Sequence, residues 1–260
     1  MLQIKVGVQL ASLRLPFRQA LHMAARLGAQ AVEIDARNEL RPADLSHTGV
    51  REIRKMLADL NLQVSCLSFR TRRGYEVIAD LEQRIEATRQ VLKLAYDLGT
   101  NVVVNSIGHI PADQNLPAWG VLTAALTEVG RYGQRVGATL AAETGPDSGP
   151  ELAKLIAALP PGSIGVDLHP ANLIAGGHSP REAVQALGDQ ILHVHATDAT
   201  RDLSRGRTIV TALGQGSAEF PEILAVLEEH QYRGFITIER GDSSQPVVEI
   251  GQAVEFLRNL

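Results

Sequence analysis

What this sequence has little of narrows its class at once. Cys66 is the only cysteine in 260 residues, which excludes an internal disulfide framework and fits a reducing compartment, so a cytoplasmic protein is expected. Without staples the fold depends on its core, and a chain this long buries about three quarters of its unfolded surface. Charge of either sign is not in strong excess: the formal net charge is -4, which argues against a protein that tracks nucleic-acid phosphates. No apolar run approaches the roughly 18 residues that a membrane span needs, and the opening MLQIKVGVQLASLRLPF alternates polar with apolar residues rather than forming the apolar core of a secretion signal. A Gly-x-Gly-x-x-Gly turn after the first candidate strand is missing too, which weakens a dinucleotide-binding open sheet. Linkers and low-complexity segments are also lacking, so one domain over residues 1–260 is the simplest organisation.

What is present is a regular beat. Eight short β-type runs recur: IKVGVQL (4–10), AVEIDA (31–36), LQVSCLSF (62–69), NVVVNSI (101–107), ATLAAET (138–144), SIGVDL (163–168), ILHVHAT (191–197) and GFITIER (234–240). Between them lie stretches with apolar residues at spacings of three and four, several closing on glycine as helices do. Strand–helix alternation implies parallel strands joined by right-handed crossovers. Eight such units in about 250 residues predict a closed (β/α)8 TIM barrel. The helical repeats are too dissimilar for a solenoid.

In such a barrel the active site forms at the C-terminal ends of the strands. Strand five ends in Glu143, strand six in Asp167, strand seven in His195 and strand eight in Glu239. Any one of these alone reads as a helix cap, a loop ion pair or a hydrogen-bonded core histidine. Four in successive strands read differently, because three carboxylates and an imidazole converging on one mouth need a cation to compensate them. Oxygen-rich ligation with one imidazole suits Mn²⁺, Mg²⁺, Co²⁺ or Zn²⁺ alike. None of these motifs carries a cysteine, so a thiolate-held structural zinc is not expected.

The set AAETG, GVDLHPAN, HVHATD and ITIER, on a chain of this length, resembles the xylose isomerase-like TIM barrel superfamily, and within it the sugar phosphate isomerase/epimerase group. The resemblance spans the chain. It implies one divalent metal ion on Glu143, Asp167, His195 and Glu239, with Glu143 and Glu239 as the acid/base pair on opposite sides of the substrate. The implied substrate is a ketose or related sugar or polyol-derived hydroxy-carbonyl compound. The implied activity is isomerisation or epimerisation by proton transfer through a metal-stabilised enediolate. Neither nucleic acid nor a membrane is an expected partner, and assembly into a homo-oligomer is left open.

The pattern has departures. Many members of the group carry a substrate-contacting histidine three residues after the strand-six aspartate; here that position is Pro170, with His169 one residue earlier. His169 is therefore a weaker substrate-binding candidate, alongside His109 after strand four, Asp198 past strand seven and Arg207 in the loop that follows. His109 reads equally as a surface loop residue. Arg70, Arg72 and Arg73 read first as a solvated basic loop and second as contacts for an anionic group such as phosphate. Glu33 and Asp35 share one side of their strand, with ion pairing to neighbouring strands as their first reading. Alternative activities are an inosose dehydratase-type lyase and a metal-binding barrel without turnover. An endonuclease IV-like DNA repair enzyme is disfavoured, because strand three ends in Ser68-Phe69, position 170 is proline, and residues 199–217 hold no Asp-x-His.

The stretch ILHVHATDA places two histidines one residue apart. On a strand His193 and His195 face one way, into the barrel, leaving Leu192 and Val194 to face the helices. His195, nearer the mouth, is the ligand, and His193 is a buried hydrogen-bonded support.

Overall fold

The computed structural model describes residues 3–202, 207–241 and 243–260. The elements run β1 (Val6–Gln9), α1 (Phe17–Arg26), β2 (Ala31–Asp35), α2 (His47–Asp59), β3 (Gln63–Ser68), α3 (Leu81–Leu98), β4 (Val102–Asn105), α4 (Pro117–Val136), β5 (Thr139–Glu143) and α5 (Gly149–Ala157). They continue with β6 (Gly165–Leu168), α6 (Pro170–Gly176), α7 (Pro180–Leu187), β7 (Ile191–Ala196), β8 (Asp198–Asp202), β9 (Arg207–Thr211), α8 (Phe220–Glu229), β10 (Ile236–Ile238) and α9 (Pro246–Arg258). Eight strands close in the order β1-β10-β7-β6-β5-β4-β3-β2, every pairing parallel. The expected (β/α)8 barrel is the fold.

Local chemistry sets the helix boundaries. Ser46, Ser148 and Ser179 cap α2, α5 and α7, Ser148 in a reciprocal capping box with Glu151. Gly99 and Gly137 end α3 and α4 in the left-handed region, at φ 88° and 84°. The main apolar core lies between sheet and helices and includes Val103, Leu140, Ala142 and Val194. A separate apolar plug is formed by Cys66, Val102, Val104 and Ala141, whose sequence neighbours belong to the main core; alternation therefore places the plug inside the barrel.

Three features depart from the sequence reading. Residues 199–217, expected as loop, contain the antiparallel hairpin β8–β9, with Asp198 opposite Thr211 and Asp202 opposite Arg207. α6, a seven-residue helix opened by Pro170, precedes the expected α7. Leu192 packs on the inner plug rather than facing the helices. The β6–β7 register passes from Val166↔Ile191 to Asp167↔His193 and so skips Leu192, and a bulge of this kind breaks strict alternation. Among the described residues no helix is long and apolar enough to cross a membrane.

Candidate active site

Both register slips in the barrel fall beside carboxylates that enter its lumen. One brings Asp167 opposite His193; the other, between β2 and β3, passes from Val32↔Val64 to Glu33↔Cys66. Bulges re-aim side chains, and Glu33, Asp167, His193 and His195 all end fully buried inside the barrel.

The site is built in layers. In the lower layer His193 Nδ1 lies 2.7 Å from Asp167 Oδ1, while its Nε2 lies 2.7 Å from Thr237 Oγ1 and 3.5 Å from Cys66 Sγ. Thr237 Oγ1 is also 3.0 Å from Ser65 Oγ. Glycine at position 7 makes this possible, since a Cβ there would come within 2.6 Å of Thr237 Oγ1. One layer up, His195 has a carboxylate at each ring nitrogen: Asp167 Oδ2 at 2.8 Å from Nδ1 and Glu33 Oε2 at 2.7 Å from Nε2. Gln9 Nε2 donates to the other Glu33 oxygen at 2.9 Å. At the mouth, His169 Nε2 is 3.0 Å from Glu239 Oε2, and the Asn172 amide donates to Glu143 Oε1 at 2.9 Å. Arg70 closes the arrangement. Its Nη2 donates to Glu143 Oε2 at 3.1 Å and to Glu239 Oε1 at 3.4 Å, so the two glutamates face one another across a single guanidinium nitrogen.

Burial and pairing compete in the electrostatics. Burial disfavours the charged form of His195, but Asp167 and Glu33 outweigh it and hold the imidazole well above its ordinary range. Carboxylates can only accept, so His195 donates from both nitrogens. Burial likewise pushes Asp167 up, and His195 and His193 more than reverse it, keeping the carboxylate ionised far below its usual range. For Glu239 the same burial effect is overcome by the His169 hydrogen bond and by His195 and Arg70. Glu33 is also held low, against its burial, by His195. The Cys66 thiol goes the other way, pushed up by burial and by the charges of Glu33 and Asp167.

The structure brings together some of the residues singled out in the sequence and not others. Glu143, Asp167, His195, Glu239 and His169 converge through the contacts above. Asp198 is buried beside them, but its carboxylate is spent on backbone: Oδ1 accepts from Ala199 and Ala218, and Oδ2 from Gly214 and Gly216, at 2.8–3.0 Å. It roots the β8–β9 excursion. His109 is exposed on the loop after β4, its Nδ1 3.8 Å from Asp147. Arg207 opens β9, exposed and opposite Asp202. Neither is brought to the carboxylates. Sequence reasoning underrated Glu33, whose partner across the barrel is invisible along the chain, and Arg70, whose neighbours Arg72 and Arg73 suggested a surface loop. Asp35 accepts from the amides of Arg37 and Asn38 and shapes the turn after β2.

The donor set suits a divalent cation. His169, His195 and Glu239 offer ligand atoms within 4.8 Å of one another, and so do Asp167, His193 and His195. Oxygen donors with imidazole match the harder and borderline divalent ions. The Arg70 guanidinium already stands as a cation between Glu143 and Glu239. Glu33, Cys66 and His193 form a third group, so a thiol does lie near the site, one layer below it.

A family model for the xylose isomerase-like TIM barrel matches residues 21–260. The inosose dehydratase of Clostridium beijerinckii is 24% identical over 256 residues, covering 86% of this chain and 81% of that protein. Among solved structures, a xylose isomerase domain protein from Planctomyces limnophilus has a TM-score of 0.85 at 20% identity, covering 98% of this chain and 96% of that one. D-psicose 3-epimerase from Clostridium cellulolyticum, solved with D-tagatose, has a TM-score of 0.80 at 15% identity, covering 98% and 99%. At these identities the structural likenesses speak for the fold alone.

Proposed function

The chain belongs to the xylose isomerase-like TIM barrel family, and we propose that it is a divalent-metal-dependent sugar isomerase or epimerase acting on a ketose or related hydroxy-carbonyl compound. The observation that carries this reading is the pair Glu143 and Glu239, two carboxylates facing one another across one guanidinium at the barrel mouth. Glu143, Asp167, His195 and Glu239 would hold the ion, His195 giving up one of its two ring protons to free a nitrogen; when bound, the ion would polarise the substrate carbonyl and make the neighbouring C–H more acidic.

The protein's own groups then do the proton work. Glu239, kept ionised by His169, His195 and Arg70, accepts the proton from the carbon beside the carbonyl at a carboxylate oxygen. Glu143, oriented by the Asn172 amide, enters the cycle carrying a proton taken from bulk water and delivers it from the other side, while Glu239 keeps the abstracted proton until the mouth opens. Delivery to the opposite face of the same carbon gives the epimer; delivery to the neighbouring carbon, with the hydroxyl proton passing to the former carbonyl oxygen, gives the isomer. His169 fixes the Glu239 carboxylate and, through Nδ1, accepts from the Asn172 backbone amide at 3.2 Å. The solvent-closed layer of His193, Thr237 and Ser65 excludes water from below, which strengthens every charge interaction above it.

The test is exchange of substrate hydrogen for deuterium in D₂O with Mn²⁺ present, followed by NMR over a panel of ketoses. Glu239→Gln should lower exchange by at least about a hundredfold while still binding Mn²⁺, more weakly than the parent. Full exchange in that variant would overturn the acid/base assignment. The inosose dehydratase similarity over most of the chain favours a second reading, in which the same proton abstraction is followed by loss of water. An inosose would then yield a dicarbonyl product rather than a stereoisomer.

A further inference from the structure

Beside the barrel mouth lies a second, separate cavity of about 480 Å³, and its lining is dominated by arginine: Arg37 from the turn after β2, Arg72 and Arg73 from the loop after β3, and Arg84 from the first turn of α3. We propose that this cavity is a binding site for a dianionic phosphate group.

Three observations carry the assignment. The first is charge. Four guanidiniums share the cavity with one carboxylate, Asp80, which is 70% exposed and 3.7 Å from Arg73 Nη1. An excess of positive charge in a concave site concentrates anions.

The second is how the guanidiniums are held. Arg37 Nη1 donates to the Arg70 carbonyl at 2.8 Å, and Arg84 donates from Nη1 to the Ala79 carbonyl at 2.8 Å and from Nη2 to that of Val77. Carbonyls orient these groups without neutralising them, so the charge is fixed in place and uncompensated. A solvated basic loop has no use for such bonds. Arg72 has no hydrogen bond or ion pair among the described residues, and the buried Arg84 Nε is a donor without a partner. A buried unpaired donor is rare and points to a missing acceptor.

The third is the helix end. Asp80 precedes α3 in the left-handed region at φ 57° and gives the helix no side-chain cap. The N-terminus of an 18-residue helix therefore stands beside the arginines without a side-chain cap, its Leu81 amide donating to the Ile78 carbonyl at 3.0 Å and Glu82 the one acidic residue in its first turn; the positive end of a helix favours phosphate. The planar fork of arginine matches phosphate oxygens two at a time.

The cavity adjoins the mouth through one short segment. Arg70 reaches Glu143 and Glu239, while the next residue, Thr71, lines the cavity and takes the Asn105 side-chain carbonyl at the end of β4 as acceptor for its amide, at 3.2 Å. Two sources of the phosphate fit that position: an ester carried by the molecule in the barrel, or a free anion. The site itself does not depend on the reaction proposed above.

Isothermal titration with inorganic phosphate, at ionic strength held constant with chloride, tests it without turnover. Wild-type protein should show saturable binding. The double variant Arg72→Gln/Arg73→Gln should bind at least about tenfold more weakly, a loss of about 1.4 kcal/mol, with the melting temperature of the free protein unchanged. Arg131→Gln/Arg135→Gln, which removes the same charge from a different surface, should bind as wild type does. No saturable binding in the wild type, or equal weakening in both double variants, overturns the proposal. D-ribulose 5-phosphate then identifies the source. Binding tighter than inorganic phosphate and weakened by Arg72→Gln/Arg73→Gln supports a site for the ester. Affinity equal to inorganic phosphate supports a site for the free anion.

Discussion

Replacing His193 with leucine should destabilise the protein by about 3 kcal/mol. The side chains are similar in bulk, so the plugged lumen stays filled and no large cavity opens. What changes is the polar pairing. His193 Nδ1 sits 2.7 Å from Asp167 Oδ1, and both residues are fully closed to solvent. Without the imidazole that oxygen faces an apolar wall, and an ionised buried acceptor left unmade costs about 2–3 kcal/mol or more. Thr237 also loses a partner, but it keeps Ser65 at 3.0 Å, which limits the added loss to about 1 kcal/mol at most. Unfolding entropy near 2.1 cal/mol/K per residue gives a chain of this length about 0.5 kcal/mol per degree, so the melting temperature should fall by about 6 °C. Differential scanning calorimetry measures this directly. His193→Gln, which retains an amide donor toward Asp167, should recover part of the loss. A His193→Leu protein melting within about 1 °C of wild type, when about 6 °C is expected, would refute the claim that this hydrogen bond secures Asp167.

Three further outcomes are expected. Arg70→Met removes the cation that already sits between Glu143 and Glu239, so calorimetric Mn²⁺ affinity should rise by about tenfold, or about 1.4 kcal/mol; weaker binding would contradict the competition. Asp198→Ala takes the acceptor from four backbone amides; stability should fall by about 3 kcal/mol and limited proteolysis should cut between residues 199 and 218, whereas an intact segment would show that Asp198 does not root it. Burial pushes the Glu39 carboxyl up from 4.5 to about 7, outweighing the hydrogen bond it accepts from the Asp35 amide. The folded state therefore binds this proton more tightly than the unfolded chain, and stability is lost as pH rises from about 4.5 to about 7. Glu39→Gln lacks that loss, so its melting temperature should gain on wild type between pH 5 and pH 8, and a constant difference would show that Glu39 does not titrate there.

The barrel was legible because each strand repeats the same signal: a short, largely apolar run followed by apolar residues at helical spacing. Glu143, Asp167, His195 and Glu239 could be named because they close successive runs and the fold gathers run ends. What could not be read depends on geometry that the chain does not carry locally. The bulge that turns Leu192 inward is a matter of register between β6 and β7, and strict alternation gives no sign of it. The hairpin at β8–β9 is secured by Asp198, a residue whose acidic character suggested chemistry rather than loop anchoring. α6 is seven residues long, too short for its periodicity to register. Glu33 and Arg70 reach their partners across the barrel, His195 lying 162 positions from Glu33 and Glu239 lying 169 from Arg70. No motif spans such distances.

The layer of His193, Thr237 and Ser65, with the Cys66 plug packed against it, makes the barrel a blind tube. Molecules that reach the carboxylates have one doorway, and departing product must pass back through it. Protons in the proposed reaction face the same restriction. One taken up by Glu239 has no exit through the floor, so it either returns to the molecule in front of it or leaves by the mouth to bulk water. The time the occupant keeps that mouth covered thus sets how often the proton on Glu239 is lost to solvent before it is returned, so label enters recovered substrate only as fast as the mouth opens, while product takes its new hydrogen from Glu143.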